Sequence, residues 1–155
     1  MKIVLKKAWL FRLMINLWPP FLFTGIRVSR LSGDFRTLQV QLKLRFWNQN
    51  AVGAHFGGSL YAMTDPFYML MLMSLLGDDY IVWDKLADID YIKPGKGKVT
   101  ADFTISQSLL DDIILHTANG DKYLPELPVY IKDEQGEVVA RVNRTLYIRR
   151  KKPVY

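Results

Sequence analysis

Cysteine is absent from the 155 residues. Its absence excludes a disulfide framework, a thiolate metal site and a cysteine nucleophile, and it suits a reducing cytoplasm, the compartment expected here. Histidine is scarce: only His55 and His116 occur, with no metal-ligand spacing between them, so no metal site is expected. There is no Walker loop, dinucleotide fingerprint or G-x-S-x-G elbow, and no repeat, low-complexity tract or linker. A single domain spanning residues 1–155 is therefore expected. Long apolar runs are broken at the start of the chain. In MKIVLKKAWLFRLMINLWPPFLF, Arg12 interrupts the run, Pro19 and Pro20 end it, and no small-residue cleavage site follows. Signal-peptide and membrane-anchor readings are both poor.

The chain does have basic charge, +6 net with a pI near 9.5. Much of it lies in short clusters: Lys2, Lys6 and Lys7; Lys93, Lys96 and Lys98 in IKPGKGKV; and Arg149 to Lys152. No extended basic stripe interleaved with aromatics appears, so nucleic acid is not expected as a partner. A basic rim still suits phosphate groups on a small molecule. On a helical wheel Lys2, Lys6, Arg12 and Asn16 share one arc, which predicts an N-terminal helix over residues 1–20 buried on most sides. Its tryptophans and cations also suit contact with a membrane surface.

RTLQVQLKLRFW alternates strictly, with Leu38, Val40, Leu42, Leu44 and Phe46 on one face. It predicts a half-buried antiparallel strand, with GIRVSRL as its hairpin partner. IVWDKLADIDYIK, KVTADFTIS, LPVYIKD and EVVARVNRTLYIRR add further strands, the last two joined at Glu134-Gln135-Gly136. SLLDDIILHTANG reads as a short helix closed by Asn119-Gly120. From Leu60 to Leu76 the chain is apolar almost throughout and too long for one strand. It predicts a central helix over 57–77 without a polar face, which a sheet must wrap. The fold class is α+β: a curved antiparallel sheet of about six strands around one long buried helix, with sheet edges left open to pairing.

Chemistry concentrates in NQNAVGAHFGGSLYAMTDPFY. Gly57-Gly58 sits where a loop enters the helix, and free backbone N–H groups there suit an oxygen that gains negative charge. Tight turns and close packing also use such glycines. Asp65 follows Gly58 by seven residues, about 10 Å along a helix. Among methionines and Phe67 an unpartnered carboxylate would have a raised pKa, suited to a general base or nucleophile. Asp-Pro is equally a helix N-cap followed by proline. Asn50 and His55 suit either turn chemistry or the holding of a water and a carbonyl, while Asn48 shares the same loop.

HFGGSLYAMTD, following an alternating strand, resembles the hotdog-fold thioesterase superfamily, with the phenylacetate-degradation type as the general match. The fuller GAHFGGSLYAMTDPFY resembles a branch within it, the domain-of-unknown-function 4442 proteins. The resemblance implies Asp65 as the catalytic carboxylate, Gly58 N–H as the group that polarises the thioester carbonyl, and Asn50 at the position of the family's Asn. Phe56 stands between His55 and the glycines, a departure that leaves His55 with Gly57 and Ser59 as substrate contacts. The resemblance also implies an acyl-coenzyme A or acyl-carrier thioesterase, needing no cofactor beyond the coenzyme A of its substrate. Its site would form between two protomers of a homodimer or dimer of dimers, with Gly58 and Asp65 from opposite subunits. Lys93, Lys96 and Lys98 would meet the nucleotide phosphates, and the N-terminal helix, Met63, Phe67 and Met69 would line an acyl channel. A non-catalytic acyl-binding or membrane-associated hotdog protein and a hotdog dehydratase or hydratase are the alternatives.

Overall fold

The computed structural model describes residues 7–152. Along the chain run α1 (Ala8–Leu17), α2 (Pro19–Thr24), β1 (Ile26–Leu31), β2 (Thr37–Lys43), α3 (Gly57–Ala62) and α4 (Phe67–Leu76). Then follow β3 (Tyr80–Tyr91), β4 (Lys98–Thr104), α5 (Gln107–Thr117), β5 (Lys122–Tyr123), β6 (Glu126–Lys132) and β7 (Val138–Arg150). The strands form one antiparallel sheet in the order β1-β2-β4-β6-β7-β3, with the two-residue β5 on β7.

Period two places the core. Leu38, Val40 and Leu42 of β2 are buried, and they pair with the buried Phe103, Ala101 and Val99 of β4. Val142, Leu146 and Ile148 continue this inner face on β7. Against it packs α4, FYMLMLMSLL, whose Phe67, Tyr68, Leu70, Met71 and Leu72 are buried. Phe67 meets Phe103 at 5.3 Å and Phe21 of α2 at 5.7 Å between ring centres. An almost wholly apolar helix is satisfied only when covered on most sides, and here the sheet and α2 cover it. Turn chemistry closes the β6–β7 hairpin: Asp133 Oδ1 accepts from the Gln135 and Glu137 N–H groups, and Gly136 takes φ +83°. Ser106 caps α5 by accepting from Leu109 N–H at 3.1 Å.

Four expectations need correction. The helix over 57–77 is two helices, α3 and α4, separated by 63–66, with the Asp65–Pro66 peptide cis. Beyond Lys43 the second strand stops, so Phe46 lies outside it and is 82% exposed. The helix expected over residues 1–20 breaks at Trp18, so Pro19 and Pro20 lie beyond α1. They begin α2 at its first positions, where the missing N–H costs nothing and the fixed φ is already helical.

The N-terminal helix is also not buried on most sides. Within α1 only Phe11 is buried, while Trp9, Leu13, Met14 and Leu17 face outward. An apolar sequence sets a preference for cover, and no described element covers this face. The expected start of the helix, residues 1–6, lies outside the described residues.

Candidate active site

In the loop between β2 and α3 most of the side-chain polarity is spent on backbone groups. Asn48 Nδ2 donates to Thr24 O and Lys43 O, each at 3.0 Å, and Oδ1 accepts from Arg45 N–H at 2.7 Å. Asn50 Oδ1 accepts from Val52 and Ala54 N–H, and Nδ2 donates to His55 O. This binds the Asn50 oxygen into an Asx-type turn, so it does not face a substrate water as expected. His55 is buried, and its Nε2 lies 3.1 Å from Gly97 O. A carbonyl only accepts, so the proton is on Nε2 and the buried Nδ1 is left without a partner. Burial holds the His55 pKa below its ordinary value, with the Gly97 bond opposing. His55 therefore ties this loop to the 95–97 segment and is not placed to polarise a carbonyl.

What the loop leaves open is backbone. Ser59 and Leu60 N–H both donate to Phe56 O, and α3 has no side-chain cap. Gly57 and Gly58 N–H have no hydrogen-bond partner among the described residues. Being only six residues long, α3 has a small macrodipole, and these donors act chiefly as individual hydrogen-bonding groups. Aromatic rings press on both glycines. A Cβ at Gly58 would clash with Phe56 Cε1, and one at Gly57 would lie 2.9 Å from Tyr91 Oη. Ser59 is buried one residue further on. Phe56 and Ser59, with Pro19, Phe23 and Trp47, line a groove of about 530 Å³ beside this turn.

Asp65 lies past the other end of α3, and its surroundings differ from the apolar isolation expected. It makes no helix cap: Pro66 occupies the N-cap position of α4, without a side-chain capping bond. The Asp65 side chain is 47% exposed, and its Oδ2 is 3.6 Å from Arg144 Nη1. Arg144 is 1% exposed. The same Nη1 is 3.3 Å from Asp84 Oδ1, Nη2 donates to Thr64 Oγ1 at 3.2 Å, and the guanidinium carbon stands 5.4 Å from the Tyr61 ring centre. Arg144 Nε has no partner among the described residues. One buried cation thus serves two carboxylates. Burial pushes the Asp84 pKa above its ordinary value; Arg144 opposes the shift, and the Asp65 charge adds to it.

Sequence reasoning missed Arg144 and Asp84, although each interrupts an alternation. Arg144 stands between Val142 and Leu146 on the buried face of β7, and Asp84 follows the buried Val82 by two residues on β3. A charged residue in an inward position of a strand requires a partner.

The lysine cluster is largely neutralised. Lys93 Nζ pairs with Asp133 at 2.8 Å and with Glu137, and Lys98 approaches Glu134 at 3.9 Å. Lys96 forms no ion pair among the described residues. Acid residues of the β6–β7 turn occupy the cations meant for phosphate. Met63 and Phe67 are wholly buried core residues, not a channel wall, and Met69 is half-buried. Among the described residues no group of three or more His, Asp or Glu could hold a metal ion.

Several solved structures share this architecture. A Pseudomonas aeruginosa protein of unknown function, described as a probable thioesterase, matches with a TM-score of 0.79 at 19% identity, covering 92% of this chain and 95% of its own. A protein of unknown function from Chlorobaculum tepidum matches with a TM-score of 0.72 at 18% identity, covering 97% and 94%. A Haemophilus influenzae thioesterase matches with a TM-score of 0.67 at 14% identity, covering 93% and 91%. These likenesses establish the hotdog fold. No curated protein matches the chain. The family model "Domain of unknown function (DUF4442)" matches residues 7–148, and the chain belongs to that family.

Proposed function

We propose that the protein is an acyl thioester hydrolase, with acyl-coenzyme A or an acyl-carrier thioester as substrate. One observation carries this reading: α3 has two unpartnered backbone donors at its start and a half-open, ion-paired carboxylate just past its end. Gly58 N–H would hold the thioester oxygen and stabilise it as negative charge develops. A carboxylate would draw a proton from water as the water oxygen adds to the carbonyl carbon, and the departing sulfur would take that proton as the C–S bond breaks. Arg144, 3.6 Å from its Oδ2, would hold Asp65 in place.

Within one chain Gly58 stands in the first turn of α3 and Asp65 three residues past its end. The partner subunit's Asp65 would therefore complete the site around Gly58. A homodimer is supported by β3, a 12-residue strand that among the described residues pairs only with β7 and exposes Trp83, Leu86 and Tyr91. The groove beside Ser59 suits an acyl chain. Lys96 would be the lysine of the 93–98 loop available to a phosphate. Water positioning is not assigned to Asn50, whose oxygen is bound into its own loop.

Asp65→Asn tests the reading in an acyl-coenzyme A panel followed by thiol release. Hydrolysis should fall by about 10²–10⁴-fold while circular dichroism shows the fold retained. Wild-type rates in the variant would remove Asp65 from the mechanism.

A further inference from the structure

An apolar helix left uncovered calls for an occupant, and α1 is such a helix. Trp9 is 67% exposed, Leu13 50% and Leu17 56%, and Phe23 on α2 is 75% exposed. Trp9, Leu13 and Leu17 line a groove of about 1050 Å³ between α1, α2 and β1, together with Lys7, Arg12 and Arg27. No acidic residue lines it. The surrounding sequence is equally one-sided: residues 1–64 hold nine of the 21 lysines and arginines but only one of the 15 acids, Asp34.

Charge selects among the occupants. A second copy docked symmetrically on this face would bring the same cations together, with no carboxylate in the groove to offset them. A neutral apolar partner would strip water from Arg12 and Arg27 without replacing it. A layer of anionic headgroups over hydrocarbon meets both needs. Phosphates take the cations, leucine side chains enter the acyl region, and tryptophan rings sit at the boundary. With ten residues, α1 is about 15 Å long, so it would lie on a bilayer. Among the described residues no helix is long and apolar enough to cross one. We propose that the α1–α2 face docks on an anionic phospholipid surface. Phe23 also walls the groove that reaches Ser59, so the docked face adjoins the candidate active site. The inference does not rest on thioester hydrolysis.

Co-sedimentation of the full chain with vesicles tests it, comparing phosphatidylcholine alone with phosphatidylcholine containing phosphatidylglycerol. The protein should pellet with the anionic vesicles, release as salt rises, and stay in solution with the neutral ones. Leu13→Glu with Leu17→Glu should lower binding at least about tenfold while circular dichroism and elution volume stay the same. If that double variant fails to fold, Trp9→Ala carries the same comparison. Arg12→Glu with Arg27→Glu should abolish the preference for anionic lipid. Failure of the wild type to pellet with anionic vesicles would overturn the proposal, as would equal binding by the leucine variant. So would an oligomer that the leucine variant dissociates while the wild type ignores vesicles, which would give the face to a second copy.

Discussion

The two ends of α3 are built in opposite ways. At the start, Asn48, Asn50 and the Nε2 of His55 are bonded to backbone groups, and the N–H groups of Gly57 and Gly58 are left as donors. At the end, one guanidinium from β7 reaches Thr64, Asp65 and Asp84 together. The first arrangement is a set of separate neutral hydrogen bonds, each contributing about 1 kcal/mol. The second is a coupled charge cluster around a fully buried cation, in which losing one member leaves the others badly solvated. Damage should therefore spread at the Asp65 end and stay local at the glycine end.

Removing the shared cation gives the sharpest contrast. Arg144→Met should destabilise the protein by about 3 kcal/mol, toward the low end for a broken buried pair because Asp65 is half-exposed. A chemical denaturation curve reads this directly, and an unchanged midpoint would mean that the cluster is not coupled. Lys at 144 should recover only part of the loss, since a single ammonium cannot reproduce the guanidinium fork.

At the other end, Gly58→Ala keeps the N–H but drives a Cβ against the Phe56 ring. Thioester hydrolysis should drop by about tenfold or more through misplacement of the donor, with a near-normal melting temperature. Phe56→Ala in the same chain should restore much of the rate, because the clash is with an exposed ring. Absence of that rescue would mean that Gly58 matters for a reason other than the space its Cβ would take.

A smaller effect is expected from Asp84. Its pKa is raised in the folded protein, so the native state binds more protons than the unfolded chain between the ordinary value of 3.8 and the shifted one. Its contribution to stability is full below 3.8 and is lost as pH rises through the folded value. Denaturation midpoints across the acid range should show this falling component in the wild type and not in Asp84→Asn. A component of opposite slope would show that Arg144 outweighs burial at this site. Weakest of all is Lys93→Ala, which removes the ion pairs with Asp133 and Glu137 at the molecular surface: solvent screens such pairs, and thermal melts should barely register the change.

The strands were legible because period two is written locally. Leu38, Val40 and Leu42 announce β2 whatever they pack against. The burial of α4 followed from its lack of a polar face. Less could be read where the chain breaks pattern. Asp-Pro allowed a helix cap or a carboxylate isolated among apolar side chains, and Asp65 is neither: it is half-open and pairs with Arg144. The outward face of α1 and the neutralised lysine loop were likewise beyond local pattern.

Sequence by itself determined which segments are strands and helices and where a helix needed cover, because backbone geometry ties those outcomes to residues two to four apart. It also set Gly58 and Asp65 seven residues apart in one segment. Only the tertiary structure decided which charges meet. Thr64 and Asp84 stand 80 and 60 residues from Arg144 in the chain, and ionic interaction depends on distance and burial in space, which the folded sheet alone supplies.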